Sequence, residues 1–262
     1  MPHIDANGIR MYYEIHGQGD PLFLIMGLRR NAEWWYCQIP FLSKHFKVIA
    51  FDNRGAGRSD RPKMDYSIRL FADDTAALME ALKIKKANVL GISMGGYIAQ
   101  ELAINYPDKV RRLILGCTSC GGKRAVLMSP ERRKKFEAVV GLTPEKILKN
   151  NMDIYFSDEF IQQNPEKIEE FMKISFRHPQ PPEFFERQFA ACMKHDTADR
   201  LHIISVPTLI MAGDDDPLVP SENSHILKEL MPMAELFFFP SLRHCFFIEA
   251  AEAFNQKVVA FF

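Results

Sequence analysis

Residues 87–96 read Ala87-Asn88-Val89-Leu90-Gly91-Ile92-Ser93-Met94-Gly95-Gly96. The first six form a short, mostly apolar run of strand length, and Met94 opens a helical pattern that stops near Pro107. A strand that passes through G-x-S-x-G straight into a helix puts its serine on a tight turn with Oγ exposed, and the glycines on either side relieve the crowding. The helix N-terminus behind the serine offers backbone N–H groups and a positive dipole end to a developing oxyanion. The pattern alone is common, since a serine before a helix is also an ordinary cap. The strand–turn–helix setting is what favours a nucleophile at Ser93.

Working outward, Ile9–His16 and residues 22–26 read as strands, with Gly17, Gly19 and Pro21 as turn residues between them. Residues 46–51 (FKVIAF) form the compact apolar run of a parallel strand buried on both faces. Ile68, Phe71, Thr75, Leu78 and Leu82 recur at helical spacing, and residues 110–115 give another strand. Alternating strands and helices imply a parallel sheet with right-handed crossovers. From about Gly121 to Arg200 no strand-like run occurs. Ser129-Pro130-Glu131, Thr143-Pro144-Glu145 and Asn164-Pro165-Glu166 each place a capping side chain, a proline at the first helical position and an acid next to it. With Pro182-Glu183 these predict four helices, starting near Pro130, Pro144, Pro165 and Pro182. The α/β pattern then resumes, with strands at 207–212 and 234–239, a helix at 221–230, and a last amphipathic helix carrying Ala251, Phe254, Val258 and Phe261. The expected organisation is a core of residues 1–120 and 201–262, interrupted by a helical insertion, 121–200.

The chain has 262 residues, 47% hydrophobic and 25% charged, which suits one large globular domain with an insertion and excludes disorder or coiled coil. Lys plus Arg and Asp plus Glu are 33 each, so no basic excess marks a nucleic-acid partner. The opening residues MPHIDANGIR lack the apolar stretch of a secretory signal, and no apolar run reaches the ~18 residues of a membrane span. With five cysteines, an odd number, the expectation is a cytoplasmic protein with reduced thiols and no membrane association.

A serine needs a base to take its proton. Of the eight histidines, His244 alone follows the last predicted strand and precedes the last helix, on the same sheet edge as Ser93. The others read as surface or packing residues. The strand at 207–212 ends in Gly213-Asp214-Asp215-Asp216-Pro217, a loop with three candidate acids to orient the histidine. Cys117-Thr118-Ser119-Cys120 has the form of a redox or metal half-site, but no second pair supplies further zinc ligands, so it reads as structural.

Over essentially its whole length the sequence resembles the α/β-hydrolase fold family. The resemblance rests on the elbow at Ser93, on Asp52-Asn53-Arg54-Gly55-Ala56-Gly57-Arg58-Ser59, on Gly213-x-x-Asp216-Pro217-x-Val219-Pro220, and on His244 with Glu249 five residues later. It implies a mostly parallel, doubly wound eight-stranded sheet, a helical cap at 121–200, and a Ser93-Asp216-His244 triad with Asp216 chosen over its neighbours. By position it assigns the oxyanion donors to the N–H groups of Leu28 and Met94. Two departures stand out. Ile25-Met26-Gly27-Leu28 lacks the His-Gly pair common in relatives, and Arg243 stands where a glycine often precedes the histidine. Arg29 and Arg30 follow the oxyanion strand, as a solvated pair or as partners of a substrate carboxylate. Phe184 and Met193 are expected to line an apolar pocket under the cap. The implied activity is hydrolysis of a small carboxylic ester, thioester or lactone without cofactor or metal. FDNRGAGRSD and GISMGG resemble carboxylesterases and 3-oxoadipate enol-lactonases, and also methylesterases, cofactor-free haloperoxidases or perhydrolases, and carbon–carbon bond hydrolases. A non-catalytic ligand receptor on the same scaffold is the alternative of another class. The implied partner is a small molecule; oligomeric state is left open.

Overall fold

The structure is a computed structural model and describes residues 2–137 and 142–262. Eight strands form one sheet: β1 His3–Ala6, β2 Ile9–His16, β3 Pro21–Ile25, β4 Lys47–Phe51, β5 Ala87–Ile92, β6 Val110–Gly116, β7 Thr208–Gly213 and β8 Glu235–Phe239, in the order β1-β2-β4-β3-β5-β6-β7-β8. The pairs β1·β2 and β2·β4 are antiparallel, and the other pairs are parallel. Every residue of β5 and β7 is buried, as strands covered on both faces require. Because β4 and β5 lie on opposite sides of β3, the loops leaving β3 and β5 diverge and open a crevice at the carboxyl edge.

The helices are α1 Ile39–Leu42, α2 Ile68–Ala81, α3 Met94–Asn105, α4 Pro130–Glu137, α5 Pro144–Asn150, α6 Met152–Tyr155, α7 Asp158–Gln163, α8 Pro165–Arg177, α9 Pro182–Met193, α10 Glu222–Leu230, α11 Phe246–Glu249 and α12 Ala251–Phe261. Phe23, Ile25, Val89 and Leu113 meet α2, α3 and α10 on one face of the sheet. The alternate residues Leu22, Leu24, Leu90 and Ile114 meet α1 and α12 on the other. No helix among the described residues is long and apolar enough to cross a membrane.

Two expectations about elements are corrected. The strands anticipated above are seven; the eighth, β1, is only four residues and polar at His3 and Asp5. It folds back on β2 through Asn7-Gly8, both at positive φ (47° and 72°), the geometry that an Asn-Gly hairpin turn supplies. In the insertion, helices begin at Pro130, Pro144, Pro165 and Pro182 as anticipated, but α6 and α7 intervene. Ser157 caps α7 by accepting from the Phe160 N–H, with Asp158 and Glu159 in the first turn. Ser129 and Thr143 cap their helices, accepting from Arg132 and Lys146. Asn164 does not: its amide donates back to the Phe160 carbonyl of α7, the nearer acceptor.

The two ends of the insertion are tied together. Gly121 bridges Asp196, the Gly122 N–H donates to the His195 carbonyl at 2.9 Å, and the Thr197 N–H donates to the Cys120 carbonyl at 2.9 Å. His195 is buried here, its ring 4.4 Å from that of Tyr97. Its Nδ1 is 4.0 Å from Glu101, which Arg200 neutralises, and its Nε2 is buried without a partner. Burial therefore pulls the imidazole pKa down from 6.5 to about 4. The unfolded chain binds a proton at His195 that the folded chain refuses, so stability is full above 6.5 and declines as pH falls toward 4. The total loss is about 3 kcal/mol. Urea unfolding of the wild type should show this decline, and His195→Phe, which keeps a ring against Tyr97, should flatten it; an unchanged pH slope in the variant would contradict the assignment.

Candidate active site

The three expected residues stand on loops that leave β5, β7 and β8 at the carboxyl edge of the sheet. Ser93, between β5 and α3, holds φ 57° and ψ −121°, outside the regions a serine ordinarily occupies. Its N–H donates to the Gly116 carbonyl at 2.9 Å, and its own carbonyl accepts from the Thr118 hydroxyl at 2.9 Å. A Cβ at position 91 would stand 2.2 Å from the Gly95 carbonyl oxygen, and one at position 95 would stand 2.0 Å from that of Ile25. Only glycines let α3 start this close to β5 and β3.

Asp216 follows β7 and His244 follows β8. Asp216 Oδ2 and His244 Nδ1 are 2.7 Å apart, and both side chains are buried. The other carboxylate oxygen accepts the N–H groups of Leu218 and Val219 at 2.8 and 3.0 Å, which fixes the acid. Its neighbours have other tasks: Asp214 accepts from the Ser241 N–H and Asp215 pairs with Arg243. Ser93 Oγ and His244 Nε2 make no hydrogen bond among the described residues. The structure thus joins Asp216 to His244 and leaves the serine–histidine bond unmade, a contact that tightens in many enzymes only with substrate present.

The N–H groups of Leu28 and Met94, assigned as oxyanion donors, are not taken by any other described group. Leu28 lies on a loop gripped from several sides. Asn53 donates to the Met26 carbonyl at 2.9 Å, and buried Asp52 accepts from the Ala32 N–H at 2.7 Å while holding Arg58. The Asp52–Ser59 motif therefore supports the loop that carries Leu28. From the insertion, Gln188 accepts the Arg29 N–H at 3.0 Å. The Arg29 guanidinium lies 5.7 Å from the Phe185 ring, and burial with Arg30 beside it lowers its pKa. Arg30 sits 3.8 Å over the Trp34 ring and reaches the Tyr155 hydroxyl. Neither forms an ion pair among the described residues.

The helix phase of α9 corrects one expectation. Its buried stripe is Phe184, Gln188 and Ala191; Met193, nine residues past Phe184, faces the opposite way and is 56% exposed. Phe184 packs in the same core cluster as Met94. Met193 is not brought to the site.

Arg243, the departure from the family pattern, turns out to be a clamp. It donates to the carbonyls of Asp153 and Phe156 at 2.9 and 3.0 Å and pairs with Asp158 and Asp215. The next two N–H groups, of His244 and Cys245, donate to the carbonyls of Ile154 and Tyr155, and Glu249 binds the Ser157 N–H and hydroxyl. The histidine loop is thereby stapled to α6 and α7.

Cys117, at φ 36° after β6, places its sulfur within 4.8 Å of ligand atoms of Asp216 and His244, the arrangement a metal ion could use. Asp216 and His244 are already bonded to each other, and burial, with the Asp216 charge, pushes the Cys117 thiol well up, so it stays protonated. The trio fits a thiol packed against an acid–histidine pair better than a metal centre. Cys120 is not bonded to Cys117; all five cysteines are free.

The family profile of the alpha/beta hydrolase fold matches residues 20–251. The chain belongs to the α/β-hydrolase fold family. Among relatives of this α/β hydrolase, RutD of Azorhizobium caulinodans, named as a carbamate hydrolase, is 31% identical over 100% of this chain and 98% of that protein. The meta-cleavage product hydrolase CumD from Pseudomonas fluorescens IP01, solved as an S103A mutant with acetates, has a TM-score of 0.85 at 30% identity and covers 100% of this chain and 97% of its own. The enol-lactonase of Burkholderia xenovorans LB400 has a TM-score of 0.88 at 26% identity, covering 99% of each chain.

Removing the Arg243 clamp in this hydrolase leaves two carbonyls short of a donor. Arg243→Ala is expected to lower stability by about 2 kcal/mol, roughly 4–8 °C in Tm, and to lower kcat. Lysine there should recover only part, since one ammonium cannot serve all four acceptors. An unchanged melting curve and turnover would show that the histidine loop holds itself.

Proposed function

We propose that this chain is a serine hydrolase cleaving a small carboxylic ester, thioester or lactone through an acyl-enzyme. The observation that carries the reading is the buried Asp216–His244 hydrogen bond, placed at the same sheet edge as a serine held in a strained turn beside two unengaged N–H groups. Ser93 Oγ attacks the carbonyl carbon while its proton passes to His244 Nε2. Asp216 keeps the other ring nitrogen oriented and stabilises the imidazolium. The carbonyl oxygen, now an anion, is held by the Leu28 and Met94 N–H groups, an effect of about 3 kcal/mol per donor. His244 then gives its proton to the leaving alkoxide or thiolate, which in a lactone stays tethered to the acyl group. Water, deprotonated by His244, releases the acid and restores Ser93. Helices of the insertion form a cap over this edge. Free thiols are consistent with a reducing, cytoplasmic setting. Similarity to an enol-lactonase and to a protein named as a carbamate hydrolase supports ester-type substrates.

Arg29 and Arg30, which form no ion pair among the described residues, extend the reading to substrates carrying a carboxylate, for which a half-buried guanidinium is a fitting partner. Ser93→Ala is expected to fold normally and lose turnover of an activated ester by several decades, removal of a triad serine costing up to about six; substantial residual activity would refute the nucleophile. Arg29→Gln and Arg30→Gln should raise KM much more for carboxylate-bearing esters than for neutral ones, and equal effects on both would remove the arginines from recognition.

A further inference from the structure

The stretch Cys117-Thr118-Ser119-Cys120, which reads as structural in the sequence, meets the nucleophile turn through its second residue. Thr118 is buried and donates its hydroxyl to the Ser93 carbonyl at 2.9 Å. That carbonyl belongs to the Ser93–Met94 peptide, and so does the Met94 N–H. The two groups point in opposite directions across one rigid trans plane, so a grip on the oxygen fixes where the N–H aims. The same oxygen accepts the Gly96 N–H at 2.8 Å and the Tyr97 N–H, its regular helical partner, at a long 3.4 Å. Its two short bonds therefore come from Gly96 within α3 and from Thr118 outside it. An amide whose oxygen accepts from two donors is polarised, which makes its own N–H a stronger donor.

Thr118 fits there because position 96 has no side chain. A Cβ at Gly96 would stand 2.6 Å from Cβ, Cγ2 and Oγ1 of Thr118. The last glycine of Ser93-Met94-Gly95-Gly96 thus admits this contact, whereas Gly91 and Gly95 admit the helix to the strands. The stretch is itself anchored. The Cys117 N–H donates to the Met211 carbonyl of β7 at 2.8 Å, the Ser119 and Tyr97 hydroxyls are 2.9 Å apart, and Gln100 donates to the Ser119 carbonyl at 2.8 Å. With neighbours on both sides fixed, the hydroxyl is a stationary donor.

We propose that Thr118 is a positioning residue for the reaction: by holding the Ser93 carbonyl it sets the direction and the donor strength of the Met94 N–H toward the oxyanion. The inference rests on the reading of Ser93 and Met94 under the proposed function.

The test is hydrolysis of p-nitrophenyl butyrate, and inhibition by an alkyl trifluoromethyl ketone, in the full chain and in T118V, T118A and T118S. The ketone adds to the serine Oγ as a tetrahedral oxyanion, so its Ki reads the oxyanion site in the ground state. Valine keeps the shape beside Gly96 and leaves the Ser93 carbonyl its Gly96 bond, so the fold is expected to hold. T118V and T118A should each lower kcat about 5- to 20-fold, with KM within about threefold, and raise Ki for the ketone by a similar factor. T118S restores the hydroxyl and should return both quantities to within about threefold of wild type. A kcat within about twofold of wild type in T118V or T118A would overturn the proposal. So would a fall in kcat with an unchanged Ki, or a T118S as slow as T118V, the results expected if Thr118 served only to pack the turn. Ser93→Ala is run beside them: if it hydrolyses the ester as wild type does, the reading of the nucleophile fails and this proposal with it, whereas an inactive Ser93→Ala beside a fully active T118V removes Thr118 alone.

Discussion

At the start of α3 the backbone of one element passes where the side chain of another would have to be. With hydrogens at positions 91 and 95 the helix closes to van der Waals contact with β5 and with the Ile25 carbonyl, and Ser93 between them is forced to φ 57°. That conformation costs on the order of 1–3 kcal/mol. It is offset by the bonds of Ser93 to Gly116 and Thr118, which are made only if β6 lies beside β5 in the observed register. The same contact brings the loop after β3 against the elbow: a Cβ at position 27 would stand 3.0 Å from that of Ser93. The placement of α3 and the approach of the β3 loop to Ser93 thus follow from one close approach.

The candidate residues stand on loops that leave three strand ends, and the helical insertion is bonded to the neighbouring loops. One arm is α9, whose Gln188 fixes the turn after β3. The other is the α6–α7 region, whose carbonyls take the N–H groups of the histidine loop while Arg243 spans acid loop, histidine loop and insertion. Both arms bond to main-chain atoms, so they constrain direction more than side-chain packing would.

Much of this was legible in the residues because it depends on local rules. Strand-length apolar runs located seven strands, Pro-Glu starts located four of the insertion's helices, and the acid-loop pattern singled out Asp216 from its neighbours, the residue that bonds to His244. The misses have physical reasons. β1 is too short and polar to stand out by hydrophobicity, though Asn7-Gly8 was a usable turn signal. Helix α6 is a single turn made by tertiary contact with the histidine loop. The placement of Met193 failed on phase, since a helix hides one face and Phe184 and Met193 are on opposite ones. Gln188 and Arg243 could not be found from sequence: their partners lie 159, 134 and 90 positions away, and neither residue type announces which carbonyl it will meet.

The central claim is that Ser93 is a nucleophile activated by His244. Intact-mass analysis after exposure to a reactive organophosphonate, followed by peptide mapping, tests it most directly. A single adduct on Ser93 in the wild type, absent in His244→Ala, is the predicted result. Folded protein that takes up no adduct, or carries it on another residue, would contradict the account and favour a ligand receptor built on a hydrolase scaffold.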